Sequence, residues 1–264
     1  MSVTRQAQER LLAVDPIWAR VREETLVAAE REPMLSGFLY ATILNHRSLE
    51  AAVIHRVSQR LDHPDVPAVL ISQAFDGLLG ENSQWSETLR TDIQAVFDRD
   101  PACERYIEPL LYFKGFHAIQ THRLAHWLWN EGRRDFALYL QARSSAVFQT
   151  DIHPHSKMGR GIFLDHATGL VVGFTAEIGD NVSILQDVTL GGTGFSTTEP
   201  DAIFEHSPIR ILPRIFAPAP IRTPLPIFGW RSLPSLPVPP RVTPCRIETL
   251  SPITAVSPTT RPVA

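Results

Sequence analysis

A six-residue periodicity over residues 152–193 restricts the fold of this chain more than any other feature. Written in sixes, the segment begins each of seven consecutive hexads with an apolar residue. These residues are Ile152, Met158, Leu164, Leu170, Ala176, Val182 and Val188. Neither an α-helix, with about 3.6 residues per turn, nor a plain strand, with a period of about two, explains this spacing. Short strands joined by tight corners explain a six-residue spacing, so the sequence predicts a parallel β-helix of the hexapeptide type.

The segment before the hexads, residues 15–148, has helical patterning instead. Asp15-Pro16 and Ser48 are residue types that begin helices, and apolar residues follow them at spacings of three and four. We expect roughly six to eight helices here, and the last three have the clearest bounds. Those predicted bounds are about 103–112, 114–130 and 134–148.

The composition is that of an ordinary soluble globular protein, with 44% hydrophobic residues, 20% charged residues and a net charge of −3. This charge gives no electrostatic reason to expect nucleic acid or a membrane surface as a partner. The first residues lack the apolar stretch of a signal peptide, and no apolar run is long enough to span a bilayer. Cys103 and Cys245 suggest neither a disulfide framework nor a metal site. We therefore expect a cytoplasmic protein.

Residues 208–264 differ from the rest, because they hold 14 of the 22 prolines, no lysine and a single acid, Glu248. Proline at this density is incompatible with central strands and helix interiors, so polyproline II or disorder is expected. Two explanations stay open: a natural proline-rich binding tail, or a frameshift near codon 195 that replaced further coils. The many arginines and prolines, with almost no acid, favour the frameshift.

Several stretches together resemble one family. They are DIHPHSKMGRGIFLDHATGLVVG and VSILQDVTLGGTG in the hexads, and DRDPAC and YFKGFHAIQTHRLAHWLWNEGRR upstream. All four resemble the serine O-acetyltransferases of bacteria and plants, from about residue 15 to Gly194, where the resemblance stops. It implies a left-handed β-helix that transfers acetyl from acetyl-CoA to L-serine in cysteine biosynthesis. Acetyl-CoA would be a co-substrate, with no metal and no tightly bound cofactor.

Asp151, Asp165 and His166 are the residues of the hexad segment best suited to acetyl transfer. The reaction needs a base to take the hydroxyl proton, and imidazole has an unperturbed pKa of about 6.5. A carboxylate on the other ring nitrogen fixes the tautomer, and a coil of about 18 residues places Asp151 on the coil next to His166. The resemblance implies the same roles: His166 as base, Asp151 as its orienting partner and Asp165 in substrate binding. It also implies that Asp100 holds the amino group of serine.

Gly191, Gly192, Thr193 and Gly194 resemble the stretch that lies beside the CoA arm in the family. Small residues let backbone N–H groups approach a ligand closely, although this sequence alone would indicate only a turn. The chain also departs from the family. Phe174 stands where an acid is expected. After Gly194 the expected Lys and Arg-His pair are missing, and no hexad register continues.

We therefore predict an α+β chain in three parts. Residues 1–148 form an N-terminal α-helical domain, 149–194 a truncated left-handed parallel β-helix, and 195–264 a proline-rich irregular tail. The resemblance implies a homo-oligomer, a trimer or a dimer of trimers, with active sites between subunits. Docking to O-acetylserine sulfhydrylase, which many family members achieve through a C-terminal Ile, is in doubt because this chain ends in Pro262-Val263-Ala264.

Other interpretations stay open at this point. The chain could acetylate a sugar or another small acceptor, or could be an inactive assembly protein, because few hexads remain. From spacing alone, a corner histidine and two solvated aspartates would explain the same residues. His117, His122 and His126 lie on the predicted helix 114–130. The last two have a spacing that can bind zinc, but no third ligand stands nearby, which favours packed or surface histidines at all three positions. His153 and His155 beside His166 suggest a zinc site like that of hexapeptide-fold carbonic anhydrases, whose pattern does not otherwise match.

Overall fold

Helices occupy the first part of the described chain and short strands the last. The computed structural model describes residues 15–82 and 84–191, together with the backbone of a strand at 210–211. The α-helices are α1 (Pro16–Arg31), α2 (Ser36–Leu39), α3 (Leu49–Leu61), α4 (Ala68–Glu81), α5 (Gln84–Arg99), α6 (Ile107–Leu111), α7 (Lys114–Asn130) and α8 (Arg134–Phe148). A 3₁₀ turn (Pro33–Leu35) and a π-helical turn (Tyr40–Leu44) flank α2. The strands are β1 (Thr150–Ile152), β2 (Lys157–Met158), β3 (Phe163–Leu164), β4 (Leu170–Val172), β5 (Glu177–Ile178), β6 (Ser183–Ile184), β7 (Thr189–Leu190) and β8 (Arg210–Ile211).

The helices begin where the capping residues predict. The Asp15 side chain accepts a hydrogen bond from the backbone N–H of Trp18 at 3.1 Å, and Ser48 accepts one from Ala51 at 3.3 Å. Both predicted starts are confirmed, and so are the predicted bounds of α7 and α8. Among the described residues, no helix combines the length and the apolar character that a membrane span requires.

Helix α6 is shorter than the predicted range of 103–112. It begins at Ile107 because carboxylates satisfy backbone N–H groups at and before this point. Glu108 Oε2 accepts a hydrogen bond from the N–H of Glu104 at 2.9 Å, and Glu24 Oε2 accepts one from Ile107 at 3.1 Å. Since these side chains take the place of helical carbonyl partners, the preceding residues stay outside the helix.

The strands stack in parallel on three faces. Their orders are β1-β4-β7, β2-β5-β8 and β3-β6, and each pair is parallel. The chain visits the three faces in turn and then returns to the first, which accounts for the short repeat in the sequence. Five of the seven hexad residues are buried, and the other two, Met158 and Val188, are half-buried.

The register departs from a strict hexad at one corner. Ile152 pairs with Val172, 20 positions on, whereas Val172 pairs with Leu190, 18 positions on. The two additional residues lie in the corner between β3 and β4. The prediction of a uniform hexad spacing was therefore wrong at this corner. The sequence did not indicate the insertion, because Leu170 and Val172 are both apolar and buried, and either one fits the apolar position of a hexad. Its signal is a second apolar series, Val172, Ile178, Ile184 and Leu190.

Strand β8 was not expected from the sequence. The range 195–264 was predicted to be irregular, yet β8 pairs in parallel with β5. The residues between Pro208 and Pro213 contain no proline and include three aliphatic side chains. Their backbone N–H groups are therefore available for a short strand pairing. The rest of 195–264 lies outside the described residues.

One buried carboxylate joins the helices to the strands. Asp92 on α5 accepts two hydrogen bonds from Arg123 on α7, at 2.8 and 2.9 Å, and one from Gln120 at 2.9 Å. It also accepts the backbone N–H groups of Gly161 and Ile162 at 2.9 and 3.1 Å, just before β3. The Asp92 side chain is 1% exposed. Its charge is buried at acceptable cost because both oxygens have partners, one of them a cation.

The start of α7 contacts strand β3 directly. A Cβ atom on Gly115 would lie 2.1 Å from the carbonyl oxygen of Leu164. Only glycine permits this approach of the two backbones. The first turn of α7 is thereby held against the strand that leads into the corner between β3 and β4.

Helix α7 also buries two histidines. His117 is 0% exposed and His122 is 4% exposed, while His126 is half-buried, with Nδ1 2.8 Å from the carbonyl oxygen of Pro154. The interpretation of these residues as packed histidines is confirmed for His117 and His122. Burial lowers the pKa of each of these two to about 3, so both rings are neutral near pH 7.

The first prediction concerns the Asp92 carboxylate. We expect Asp92→Asn to lower the free energy of unfolding by about 3–5 kcal/mol, because it leaves the Arg123 guanidinium, whose side chain is only 10% exposed, without its charged partner. Urea denaturation followed by tryptophan fluorescence measures the loss. Asp98→Asn is the matched control on the same helix, since Asp98 is exposed and accepts a hydrogen bond from Gln94. Equal losses in both variants would contradict the role assigned to Asp92.

The second prediction concerns acid stability. The pKa of His117 and of His122 is lower in the folded chain than the unfolded value of about 6.5, so the unfolded state binds protons at a higher pH than the folded state does. The contribution of each neutral ring to the free energy of unfolding is fully present above about pH 6.5. As the pH falls towards the folded pKa values, each ring loses about 1.4 kcal/mol of this contribution per pH unit. Unfolding free energies between about pH 6.5 and 5 measure it. His122→Gln should flatten this dependence, whereas His63→Gln, at a half-buried residue whose side chain is 39% exposed, should not; equal slopes in all three proteins would refute the assignment.

Candidate active site

The corner between β3 and β4 presents an imidazole beside a carboxylate. His166 Nε2 lies 3.6 Å from Asp165 Oδ2, with side chains 72% and 28% exposed. His166 and Ala167 have φ angles of 55° and 63°, a left-handed conformation that residues other than glycine rarely adopt. The methyl group of Ala167 is fully buried and anchors the corner. The two inserted residues thus lift His166 off the wall of the strand stack and into solvent.

A cavity of about 520 Å³ lies beside this corner. It is lined by the Asp100-Pro101 turn after α5, by the start of α7 and by residues 163–166. Asp100 Oδ1 accepts a hydrogen bond from the backbone N–H of Ala102 at 2.9 Å, which fixes the direction of the carboxylate. Three of the predicted site residues, Asp100, Asp165 and His166, therefore share one cavity.

Asp151 lies elsewhere. It occupies β1 opposite Val171, and its Oδ1 accepts a hydrogen bond from Gln141 Nε2. Within the described part of one chain, Asp151 makes no hydrogen bond or ion pair with His166. The coil that separates them takes 20 residues rather than the expected 18, because of the insertion after β3. No pattern in the sequence indicated the Gln141 contact.

The glycine-rich stretch is described only at its start. Gly191 lies beside Gly173, where a Cβ atom on either residue would be in ordinary contact with the other backbone. Gly192, Thr193 and Gly194 lie outside the described residues, and so do the positions at which the sequence departs from the family after Gly194.

Lys114 is a residue of the cavity that the sequence analysis did not identify. It begins α7, and its Nζ donates hydrogen bonds to Thr168 Oγ1 and, at 2.9 Å, to Gln149 Oε1. Its signal was present, because Lys114 lies in the YFKGF stretch and is one of two lysines in the chain, the other being Lys157.

His153 and His155 are grouped with aromatic rings. His155 stacks on Phe174 with centroids 4.0 Å apart, and Trp129 lies edge-on to both histidines. Burial, followed by the nearby His155, lowers the pKa of His153. Over residues 15–82 and 84–191, no cluster of three or more histidine, cysteine or acidic side chains has metal-binding geometry.

Comparisons with known proteins agree on one family. A family model described as "Serine acetyltransferase, N-terminal" matches residues 17–121. A serine acetyltransferase from Escherichia coli (strain K12) is 49% identical over 180 residues, covering 68% of this chain and 66% of that protein. The matched segment thus spans slightly less than two thirds of that relative.

Solved structures give the same result. The crystal structure of serine acetyltransferase in complex with coenzyme A from Brucella abortus strain S19 is 63% identical, with a TM-score of 0.69, and the match covers 71% of this chain and 75% of that one. Serine acetyltransferase from Neisseria gonorrhoeae in complex with serine is 47% identical, with a TM-score of 0.66 and coverage of 68% and 74%.

The helices and stacked strands of the described chain therefore match solved acetyltransferase structures. More particularly, the chain belongs to the serine acetyltransferase family.

Proposed function

We propose that this chain is a serine O-acetyltransferase, which transfers acetyl from acetyl-CoA to the hydroxyl of L-serine and releases CoA. The observation that carries the proposal is the cavity shared by Asp100, Asp165 and His166. The relatives support the substrates, because one was solved with coenzyme A and another with serine. We infer no metal or tightly bound cofactor in this reaction.

His166 is the proposed general base. Its imidazole takes the proton of the serine hydroxyl while the oxygen attacks the thioester carbonyl carbon. Collapse of the tetrahedral intermediate breaks the carbon–sulfur bond, and the imidazolium returns its proton to the departing CoA thiolate. The exposed position of the ring on the corner gives both substrates access to it.

Asp100 and Asp165 are the proposed partners of the serine ammonium group. Both carboxylates line the cavity that contains His166. Asp100 uses Oδ1 for the Ala102 N–H, which leaves Oδ2 for a cationic ligand. Two carboxylates around a small cavity favour an acceptor with an amino group over a neutral sugar, so serine fits this site better than the alternative acceptors.

Asp151 is the proposed orienting partner of His166. In this role its carboxylate would exchange Gln141 for the imidazole, either within one chain or across a contact between subunits. We also propose that Gly191, Gly192, Thr193 and Gly194 lie beside the CoA arm, where small residues allow close backbone approach.

The finer architecture is part of the same proposal. Residues 1–148 would be the helical domain, 149–194 a left-handed β-helix and 195–264 an irregular tail that contributes β8. Family membership supports a homo-oligomer, a trimer or a dimer of trimers. Binding of O-acetylserine sulfhydrylase and a cytoplasmic location stay predictions from the sequence.

A second candidate is a catalytically inactive assembly protein. It is favoured by one observation, since no sheet of the described chain contains more than three strands. CoA release from acetyl-CoA, measured with and without L-serine, separates the candidates. Serine-dependent release supports the proposed enzyme, release with another acceptor alone supports a different acetyltransferase, and no release supports the assembly protein.

The third prediction tests the base. His166→Ala should lower serine-dependent CoA release by about 10²-fold or more, the usual effect of losing a general base, with little change in acetyl-CoA affinity. His166→Asn is the second variant, because asparagine tolerates the left-handed backbone at this position. Near-normal turnover in both variants would rule out His166 as the base.

The fourth prediction tests the orienting carboxylate. Asp151→Asn should reduce turnover while the melting temperature stays near that of the parent chain, because an amide cannot stabilise the imidazolium. Gln141→Leu is the matched control, since it removes the observed partner of Asp151 and leaves the carboxylate free. A sharp fall in melting temperature together with activity in Asp151→Asn would assign Asp151 a structural role instead.

A further inference from the structure

We infer that Lys114 is a positioning residue for His166: its ammonium group holds the inserted corner between β3 and β4 in the conformation that presents the imidazole. The inference rests on the proposed function for its catalytic consequence. Its structural part stands on the contacts between α7 and the corner and can be tested without turnover.

The corner needs external support. Two consecutive residues, His166 and Ala167, have left-handed backbone angles although neither is glycine. Such conformations persist only when the surrounding contacts impose them, and they concentrate at functional sites. The corner's own hydrogen bonds are short-range, with the N–H of Thr168 donating to the carbonyl of His166 at 2.7 Å. Contacts from outside the corner must therefore select this conformation.

Two side chains from outside the corner, Lys114 and Gln149, form a triangle of hydrogen bonds with Thr168, and the backbone N–H of Asp187 donates to the Thr168 carbonyl at 2.8 Å. Lys114 Nζ donates to Thr168 Oγ1 and to Gln149 Oε1. The Thr168 hydroxyl in turn donates to the same Gln149 oxygen at 3.0 Å. The backbone of Gln149 also accepts the N–H of Gly169 at 2.9 Å. The ammonium group therefore links the helical segment, the residue before β1 and the corner itself.

The base of the Lys114 side chain is rigidly placed. The next residue, Gly115, packs against the carbonyl of Leu164 so closely that no Cβ fits between them. Leu164 ends β3, and the corner begins at Asp165. The lysine thus spans from the point where α7 meets β3 to the far side of the turn that carries His166.

The described contacts favour positioning over direct catalysis. Lys114 lines the cavity with Asp100, Asp165 and His166, yet it makes no hydrogen bond or ion pair with these three in the described chain. A cation in this cavity also opposes the binding of a serine ammonium group. Removing it should therefore leave the KM for serine unchanged or lower, while the misplaced base lowers kcat.

The experiment compares four variants of the full chain by steady-state kinetics. Lys114→Met and Thr168→Val should each lower kcat about 10-fold or more, the scale expected when a base is misplaced, without raising the KM for serine. Thr168→Ser keeps the hydroxyl and should restore kcat. Lys157→Met is the matched control, because Lys157 pairs with Glu177 on the strand stack, and it should retain the parent kcat.

The double variant Lys114→Met with Thr168→Val supplies a coupling test. If both side chains act through the same contact, the double variant should lose no more kcat than either single variant. Fully multiplicative losses, or a rise in the KM for serine with unchanged kcat, would overturn the positioning role.

Amide hydrogen exchange separates this inference from the proposed function. Lys114→Met should speed exchange over residues 165–170 about 10-fold or more relative to the parent chain and to Lys157→Met. Unchanged exchange would overturn the inference even in an active enzyme. If the parent chain shows no serine-dependent CoA release, the proposed function fails, and the exchange comparison still decides whether Lys114 holds the corner.

Discussion

The five hydrogen bonds to Asp92 hold the described structure together. The carboxylate receives donors from α7 and from the backbone just before β3, so one α5 side chain determines how the helices meet the strands. Arg123 extends the network by donating to the carbonyl of Gly159 at 2.8 Å. Because the cavity lies between Asp100 at the end of α5, Lys114 on α7 and the corner after β3, its shape depends on this junction.

The site is built by an irregularity in an otherwise regular repeat. Strands stacked in parallel bury their apolar side chains inward, and their tight corners leave little room for a protruding reactive group. The two additional residues between β3 and β4 provide that room. Strain at His166 and Ala167 accompanies it, in line with the general tendency of unusual backbone angles to occur where function requires them.

Much of this could be predicted from the sequence, because local signals dominated. Helix starts at Asp15 and Ser48 follow from capping chemistry, and α7 and α8 follow from periodicity. The sequence patterns did not indicate two pairings of backbone groups. The Glu108 carboxylate accepts a backbone N–H and shortens α6, and the four residues between Pro208 and Pro213, which contain no proline, allow β8 to pair with β5. The shared cavity of Asp100, Asp165 and His166 was reachable only through resemblance, since the first of these lies far from the other two in sequence. The separation of Asp151 from His166 depends on a coil length that two apolar series made ambiguous.

The corner after β3 also shows where the stack takes up extra length. In β1 the residues Thr150, Asp151 and Ile152 are buried, exposed and buried, and the paired residues of β4 repeat that order. The two additional residues lie in a turn whose backbone is left-handed at His166 and Ala167 rather than extended. The added length is therefore absorbed in the corner, and β4 stays in register with both β1 and β7.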